Sequence, residues 1–388
     1  MASSTSRRDF LSAGLMIPLA GAGSSMGLFN SAAESTAKTP ATPVKPTYRT
    51  LGRTGLKVTT VGMGCMITSD PSVIERALDA GINHFDTARG YQHGNNERMV
   101  GAALGKRRKN IVLSTKTEAH DKKGALEQLE ISLRELNTDY LDIWYLHGKS
   151  NPSEAPDDMI EAQQIAKQQG KIRFAGISTH DTPKMAPWMA QKGVFDVLLT
   201  MYNFSMEPAV GEAIAAAAKS GMGIVGMKVM AGGFRRARPG TPLHEKLSHP
   251  GASLAMLKWV IRDPNIATTI PSITDMDQLE DNLKAMDQPY SGTDEKLLAA
   301  HLDAIRPLYC RVCGKCEGQC QKGLPVSDML RTLSYADGYG QFELGRERFL
   351  ELAADRSVRC SDCSTCTVNC PHGVQVTARL SRAQELFA

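Results

Sequence analysis

Eight short apolar runs, each followed by about one helix of alternating polar and apolar residues, limit the folds open to this chain more than any other feature. In order they read TTVGMGC, HFDTA, IVLSTK, LDIWYLH, RFAGIST, VLLTMYN, GIVGMKV and ATTIPS, between residues 59 and 272. Runs this short and this continuously apolar suit strands buried on both faces, which need helices to cover them. The intervening stretches supply those helices. ALEQLEISLREL (125–136) sets Leu126, Leu129, Leu133 and Leu136 on one face, and EPAVGEAIAAAAKSG runs to a stop at Gly221. Eight such units over roughly 250 residues predict an α/β protein with a closed (β/α)8 TIM barrel. An open doubly wound sheet is the alternative, but no G-x-G-x-x-G follows the first strand.

The chain has 388 residues and is 42% hydrophobic, enough for a barrel and a smaller domain. Its 45 basic and 41 acidic side chains leave a net charge of +4, without a long basic run, so nucleic-acid binding has no electrostatic footprint. The N-terminus reads SRRDFLSAG, then a weakly apolar stretch over 13–29, then the small residues Ser31, Ala32 and Ala33. This resembles a twin-arginine export signal over residues 1–33, and a disordered tail with a chance arginine pair is the alternative. The stretch falls short of the ~20 strongly apolar residues that cross a bilayer, so no transmembrane span is expected in the mature chain. The resemblance implies a periplasmic or extracytoplasmic protein, exported folded with any cofactor already inside. Pro40, Pro43 and Pro46 mark residues 34–47 as a linker, after which a barrel over 48–290 and a mainly helical domain over 291–388 are expected.

Reactive groups in such a barrel belong at the carboxyl ends of the strands. Those ends offer Asp86 in FDTARGY, Tyr91 five residues on, Lys116 closing LSTK and His147 closing WYLH. The set suits carbonyl reduction. Hydride arriving at carbon leaves an alkoxide, which must be protonated as it forms. Tyr91 is the candidate donor, Lys116 is expected to make the phenol more acidic, Asp86 to hold the ammonium, and His147 to orient the oxygen. From about Tyr48 to Ala285 the segments YRTLGRTGLKV, FDTARGYQHGNNERMVGAAL, STK and YLHG resemble the aldo-keto reductase superfamily. The family's Asp, Tyr, Lys and His tetrad falls on Asp86, Tyr91, Lys116 and His147.

The resemblance also implies NAD(P) bound around Ser178, Thr179, Ser272, Gln278, Asp281 and Asn282. Several of these positions depart from the family pattern. Thr179 stands for an Asn, Leu199 for a Gln and Met227 for a stacking aromatic, while Ser272 and Gln278 stand where basic groups hold the 2′-phosphate. Preference for NADP over NAD is therefore open. Arg235, Arg236 and Arg238 could reach a pyrophosphate or form a solvated loop face. Cys65 at a strand end reads as a small buried hydrophobe, and His180 as a hydrogen-bonded neighbour or a reactant.

CRVCGKCEGQC (310–320) and CSDCSTCTVNCP (360–371) repeat one cysteine spacing. Steps of two, two and three residues match the bacterial ferredoxin run for 4Fe-4S clusters, in which the fourth Cys serves the other cluster. Cys310, Cys313, Cys316 and Cys370 would hold one cluster, and Cys360, Cys363, Cys366 and Cys320 a second. Gln321 follows Cys320 where a proline often stands, which keeps a single cluster open. Zinc is a rival, as are disulfides, although the latter would close only tiny loops.

Together these features predict an exported oxidoreductase acting on a small carbonyl or alcohol, with clusters passing electrons to or from a redox partner. One alternative is an electron-transfer protein whose barrel only docks or binds. Another is a cytoplasmic NAD(P)H reductase with structural clusters.

Overall fold

The computed structural model describes residues 45–233, 242–247, 249–352 and 357–388. The export signal, most of the linker and the three loop arginines lie outside the described residues. The first two strands, β1 (Tyr48–Thr50) and β2 (Lys57–Thr59), form an antiparallel hairpin. Eight parallel strands follow: β3 (Met63–Gly64), β4 (His84–Asp86), β5 (Val112–Thr117), β6 (Leu141–Leu146), β7 (Ile172–Thr179), β8 (Val197–Met201), β9 (Gly223–Met227) and β10 (Thr268–Thr269). They pair strictly in sequence order from β3 to β10. Parallel bridges from Val61 to Thr269 and from Gly64 to Ser272 bring the first strand against the last. A Cβ on Gly64 would stand 2.5 Å from the Ile270 carbonyl oxygen, so this seam needs a residue without a side chain. Each apolar run of the sequence supplies one barrel strand, and the (β/α)8 expectation is met.

Strand alternation sorts the core into two layers. Val112, Ile143, Tyr145, Val197, Leu199 and Val225 fill the barrel interior, while Leu113, Trp144, Leu146, Ile177 and Leu198 face the surrounding helices. Those helices are α1 (Pro71–Asp79), α2 (Asn95–Leu104), α3 (Lys122–Glu135), α4 (Asp157–Gln168), α5 (Thr182–Lys192), α6 (Pro208–Lys219), α7 (Pro242–Leu247), α8 (Ala252–Ile261) and α9 (Met276–Asp287). The hairpin stops the amino-terminal end of the barrel, with Leu51, Leu56 and Val58 buried against the interior layer.

Helix α10 (Gly292–Ile305) opens on a capping box between Ser291 and Asp294, and Asp294 also pairs with Lys258 of α8 at 2.7 Å. Beyond it lie α11 (Val326–Asp337), α12 (Phe342–Leu350) and α13 (Val376–Phe387), packed around Leu330, Leu333, Phe349, Leu380 and Phe387. This is the small, mainly helical region expected from the sequence. Among the described residues no helix is long and apolar enough to cross a membrane.

Candidate active site

The register of three neighbouring strands assembles the polar floor of the barrel's carboxyl end. Asp86 of β4 lies opposite Ser114 of β5, and Lys116, two residues on, lies opposite Tyr145 of β6. Ser114 Oγ donates to Asp86 Oδ2 at 2.6 Å, and Lys116 Nζ donates to Asp86 Oδ1 and, at 2.6 Å, to the Thr87 carbonyl. Asp86 and Lys116 are both buried, so the ion pair is sealed and neither charge stands alone.

Tyr91 comes from the loop after β4, and that loop is firmly tied. Arg89 pairs with buried Glu97, which also accepts from Thr115 Oγ1 at 2.6 Å. Thr87 Oγ1 donates to Asn96 at 2.6 Å, and Gln92 Nε2 donates to the Thr68 carbonyl at 2.8 Å. Gln92 and His93 adopt left-handed backbone, with φ of 50° and 53°, turning the chain sharply after the tyrosine. The Lys116 ammonium then stands 4.8 Å from the centroid of the Tyr91 ring. Burial pushes the Tyr91 phenol up to about 12, while the charge of Lys116 and its hydrogen bond pull it down. The expected acidifying effect of the lysine is present, but in this environment desolvation outweighs it.

His147, just past β6, packs edge-on to Tyr91 with ring centroids 5.7 Å apart, so all four tetrad candidates meet. Its Nδ1 stands 3.1 Å from Glu118 Oε1. Burial lowers the pKa of His147 while Glu118 opposes the shift, and contact with His147, joined by Arg348, holds the Glu118 carboxyl down to about 2. Arg348 belongs to α12 and donates to Glu118 Oε1 at 2.8 Å across 230 residues of sequence. The carboxyl-terminal region thus reaches into the barrel's mouth. It does so again where a Cβ on Gly338 would meet the Gly232 carbonyl oxygen at 1.7 Å, and one on Gly233 would strike the Tyr339 ring. Glu118, Arg348, Tyr335, Tyr339 and Lys228 are site residues that the sequence reading missed. Lys228 alone had a signal, since it stands one residue before the end of GIVGMKV, much as Lys116 closes IVLSTK.

An open hollow is lined by Asp86, Tyr91, Lys116, Met227, Lys228, Ser272 and Tyr339, among others. A second hollow holds Asp281 and His301, and Met230 and Gly233 line both. Of the other predicted cofactor residues, Ser178 Oγ accepts from Gly148 N at 2.7 Å and Thr179 Oγ1 from Asp181 N at 3.0 Å. Gln278 is held by Thr274 and Asp275, and Asn282 is buried in α9. Ser178, Thr179, Gln278 and Asn282 line neither hollow. His301 is buried with no hydrogen-bond partner at either ring nitrogen, and burial lowers it to about 4, so it is neutral. Asp281 lines this second hollow, and the N-terminus of α9 is capped by the Asp275 carboxylate, with Asp277 in its first turn.

All nine cysteines are free thiols. Cys310, Cys313, Cys316 and Cys370 line one hollow together, and Cys360 lies within electrostatic reach of Cys366, Cys363 and Cys320. Both are the crossed sets expected from the sequence. Among the described residues no three metal-binding side chains converge on one point as around a single ion; the first set surrounds a space instead, as a cube of iron and sulfur requires. Cys65 is fully buried, and burial pushes its thiol up, in keeping with a packing role.

A match to the Aldo/keto reductase family spans residues 69–254, and one to a 4Fe-4S dicluster domain spans 286–374. The chain is 26% identical over 295 residues to an uncharacterized oxidoreductase of Bacillus subtilis, YqkF, covering 65% of this chain and 95% of that protein. It is 28% identical over 250 residues to the methylglyoxal reductase DkgB of Escherichia coli, covering 62% of this chain and 91% of the relative. The aldo-keto reductase AKR11C1 from Bacillus halodurans, in its holo form, superposes with a TM-score of 0.57 at 26% identity, over 66% of this chain and 96% of that one.

Proposed function

We propose that this oxidoreductase, which joins an aldo/keto reductase domain to a 4Fe-4S dicluster domain, reduces a small carbonyl compound with Tyr91 as proton donor, and oxidises the alcohol by the reverse path. The observation that carries the reading is the sealed Asp86–Lys116 pair beside the Tyr91 ring, in the lining of an open hollow. Lys116, kept cationic by Asp86, stabilises the phenolate that Tyr91 becomes when its proton passes to the developing alkoxide. His147, with Nδ1 on Glu118, leaves Nε2 for the substrate oxygen. A nicotinamide bound in the hollow would supply hydride, and iron-sulfur clusters would supply or remove single electrons. Asp281 and the capped helix α9 favour NAD over NADP. The cysteine spacing and the two thiol sets support two clusters. The arginine pair and small-residue site of the N-terminus support export before use, with a membrane or soluble redox partner outside the cytoplasm.

The test is to mix anaerobically purified full-length protein with an aromatic aldehyde and either NADH, NADPH or reduced viologen. Alcohol should form with NADH or with the viologen, and NADPH should be the poorer nucleotide. If aldehyde is untouched by every donor while the clusters still cycle in spin-resonance spectra, the electron-transfer reading, in which the barrel only docks or binds, takes its place.

A further inference from the structure

A lysine without a counter-ion stands in the wall of the candidate active site. Lys228 follows β9 directly, in left-handed backbone with φ of 55°, and lines the same hollow as Tyr91 and Lys116. No carboxylate of the described residues comes within ion-pair distance of it, whereas Lys116 has Asp86 and Arg348 has Glu118. Its ammonium lies between two rings of the carboxyl-terminal region, 4.7 Å from the Tyr335 centroid and 5.1 Å from that of Tyr339. Aromatic faces hold a cation in place while leaving its charge uncancelled.

The surroundings add positive potential. Lys228, Arg331 and His147 all act on His180, whose Nε2 is buried without a hydrogen-bond partner. The unpaired charge thus borders the same hollow as Tyr91, where a molecule being protonated by Tyr91 must lie. Burial works to raise the Tyr335 phenol, yet Lys228, Arg331 and Arg348 together lower it. The carboxylates beside these groups are already engaged, Glu118 by His147 and Arg348, Glu351 by Arg348 and Asp328 by Arg331.

We infer that Lys228, cradled by Tyr335 and Tyr339, anchors an anionic group of the substrate, so that the natural substrate is a carbonyl compound bearing a carboxylate or phosphate. This rests on the reductase reading for what happens to the carbonyl, but the anchoring of the anion is testable by binding alone.

The probes are 4-(hydroxymethyl)benzoate and its uncharged methyl ester, titrated by calorimetry into full-length protein with its clusters in place. The native protein should bind the acid at least about tenfold more tightly than the ester, the size expected of one charge-assisted contact. Lys228→Met should bring the two within about twofold of each other, and Lys228→Arg should keep most of the preference. NADH, titrated into the same proteins, should bind Lys228→Met as it binds the native chain. Equal binding of acid and ester by the native protein would overturn the inference. So would a Lys228→Met protein that keeps the preference for the acid, or one that loses NADH instead, which would assign the cation to a nucleotide phosphate. Should the variant fail to fold, Tyr339→Leu, which removes one wall of the cradle, should narrow the preference severalfold, and an unchanged preference there contradicts the inference. A native protein that prefers the acid but reduces no aldehyde would leave the anchor standing and remove the reductase reading.

Discussion

The two ends of the barrel are built from opposite materials. At the amino-terminal end Leu51, Leu56 and Val58 of a short hairpin plug the interior with apolar side chains, while Arg49 and Arg53 bond outside it to backbone carbonyls. At the carboxyl end Asp86, Lys116, His147 and Glu118 gather charge in a partly closed space, and a separate region of the chain leans over it. Apolar burial stabilises wherever it is placed, but buried charge does so only when paired. On the proposed reading, one end serves stability and the other serves chemistry. Substitutions at the two ends should separate these roles.

The largest effect should come from Lys116→Met, which leaves the Asp86 carboxylate buried without its partner. Stability should fall by about 3–5 kcal/mol in denaturant titration, and carbonyl reduction should drop by roughly 10³-fold or more. At the opposite end, Leu51→Ala should remove about 2–5 kcal/mol of stability and leave kcat/KM nearly unchanged for the folded fraction. A comparable loss of activity from Leu51→Ala would break the contrast. Arg348→Ala should lower kcat/KM by about tenfold, short of the ~10²–10⁴ expected for an acid-base group itself, with about 1 kcal/mol or less of stability lost. The smallest effect concerns pH. Because the Glu118 carboxyl is held below its unfolded value to about 2 by His147 and Arg348, its contribution is present above about pH 4.5 and is lost as pH falls toward 2. In denaturant titrations followed by circular dichroism, the native chain should lose stability as pH falls from about 4.5 toward 2, and Glu118→Gln should lose less over the same window.

Much of the barrel was legible because a strand covered on both faces must be apolar along its whole length, and each of the eight runs obeys that rule. The tetrad was legible for a related reason. A strand-end Lys or His alone is commonly a structural partner, but an Asp, a Tyr, a Lys and a His at neighbouring strand ends form a specific combination, and the register of β4 and β5 brings Asp86 and Lys116 together. Other features were hidden. The hairpin strands are only three residues long each, too short to carry a periodic signal. Arg348 and Glu118 meet across 230 positions, and nothing local to either marks the partner. Tyr335 and Tyr339 sit in LSYADGYG, where the sequence shows a helix end and not what packs against it. The Tyr91 phenol illustrates the same limit in energetic terms. The sequence identified the cation beside it, but the depth of burial, which decides the direction of the shift, is a property of the assembled site.

The central claim is that Tyr91 delivers the proton in carbonyl reduction. Its most direct test is a single-turnover measurement with Tyr91→Phe, loaded with the same iron and the same nucleotide as the native protein and mixed with aldehyde. The account predicts that alcohol formation slows by roughly 10²–10⁴-fold while aldehyde binding and the cluster spectra stay as they were. Alcohol formed at the native rate by the phenylalanine variant would contradict it.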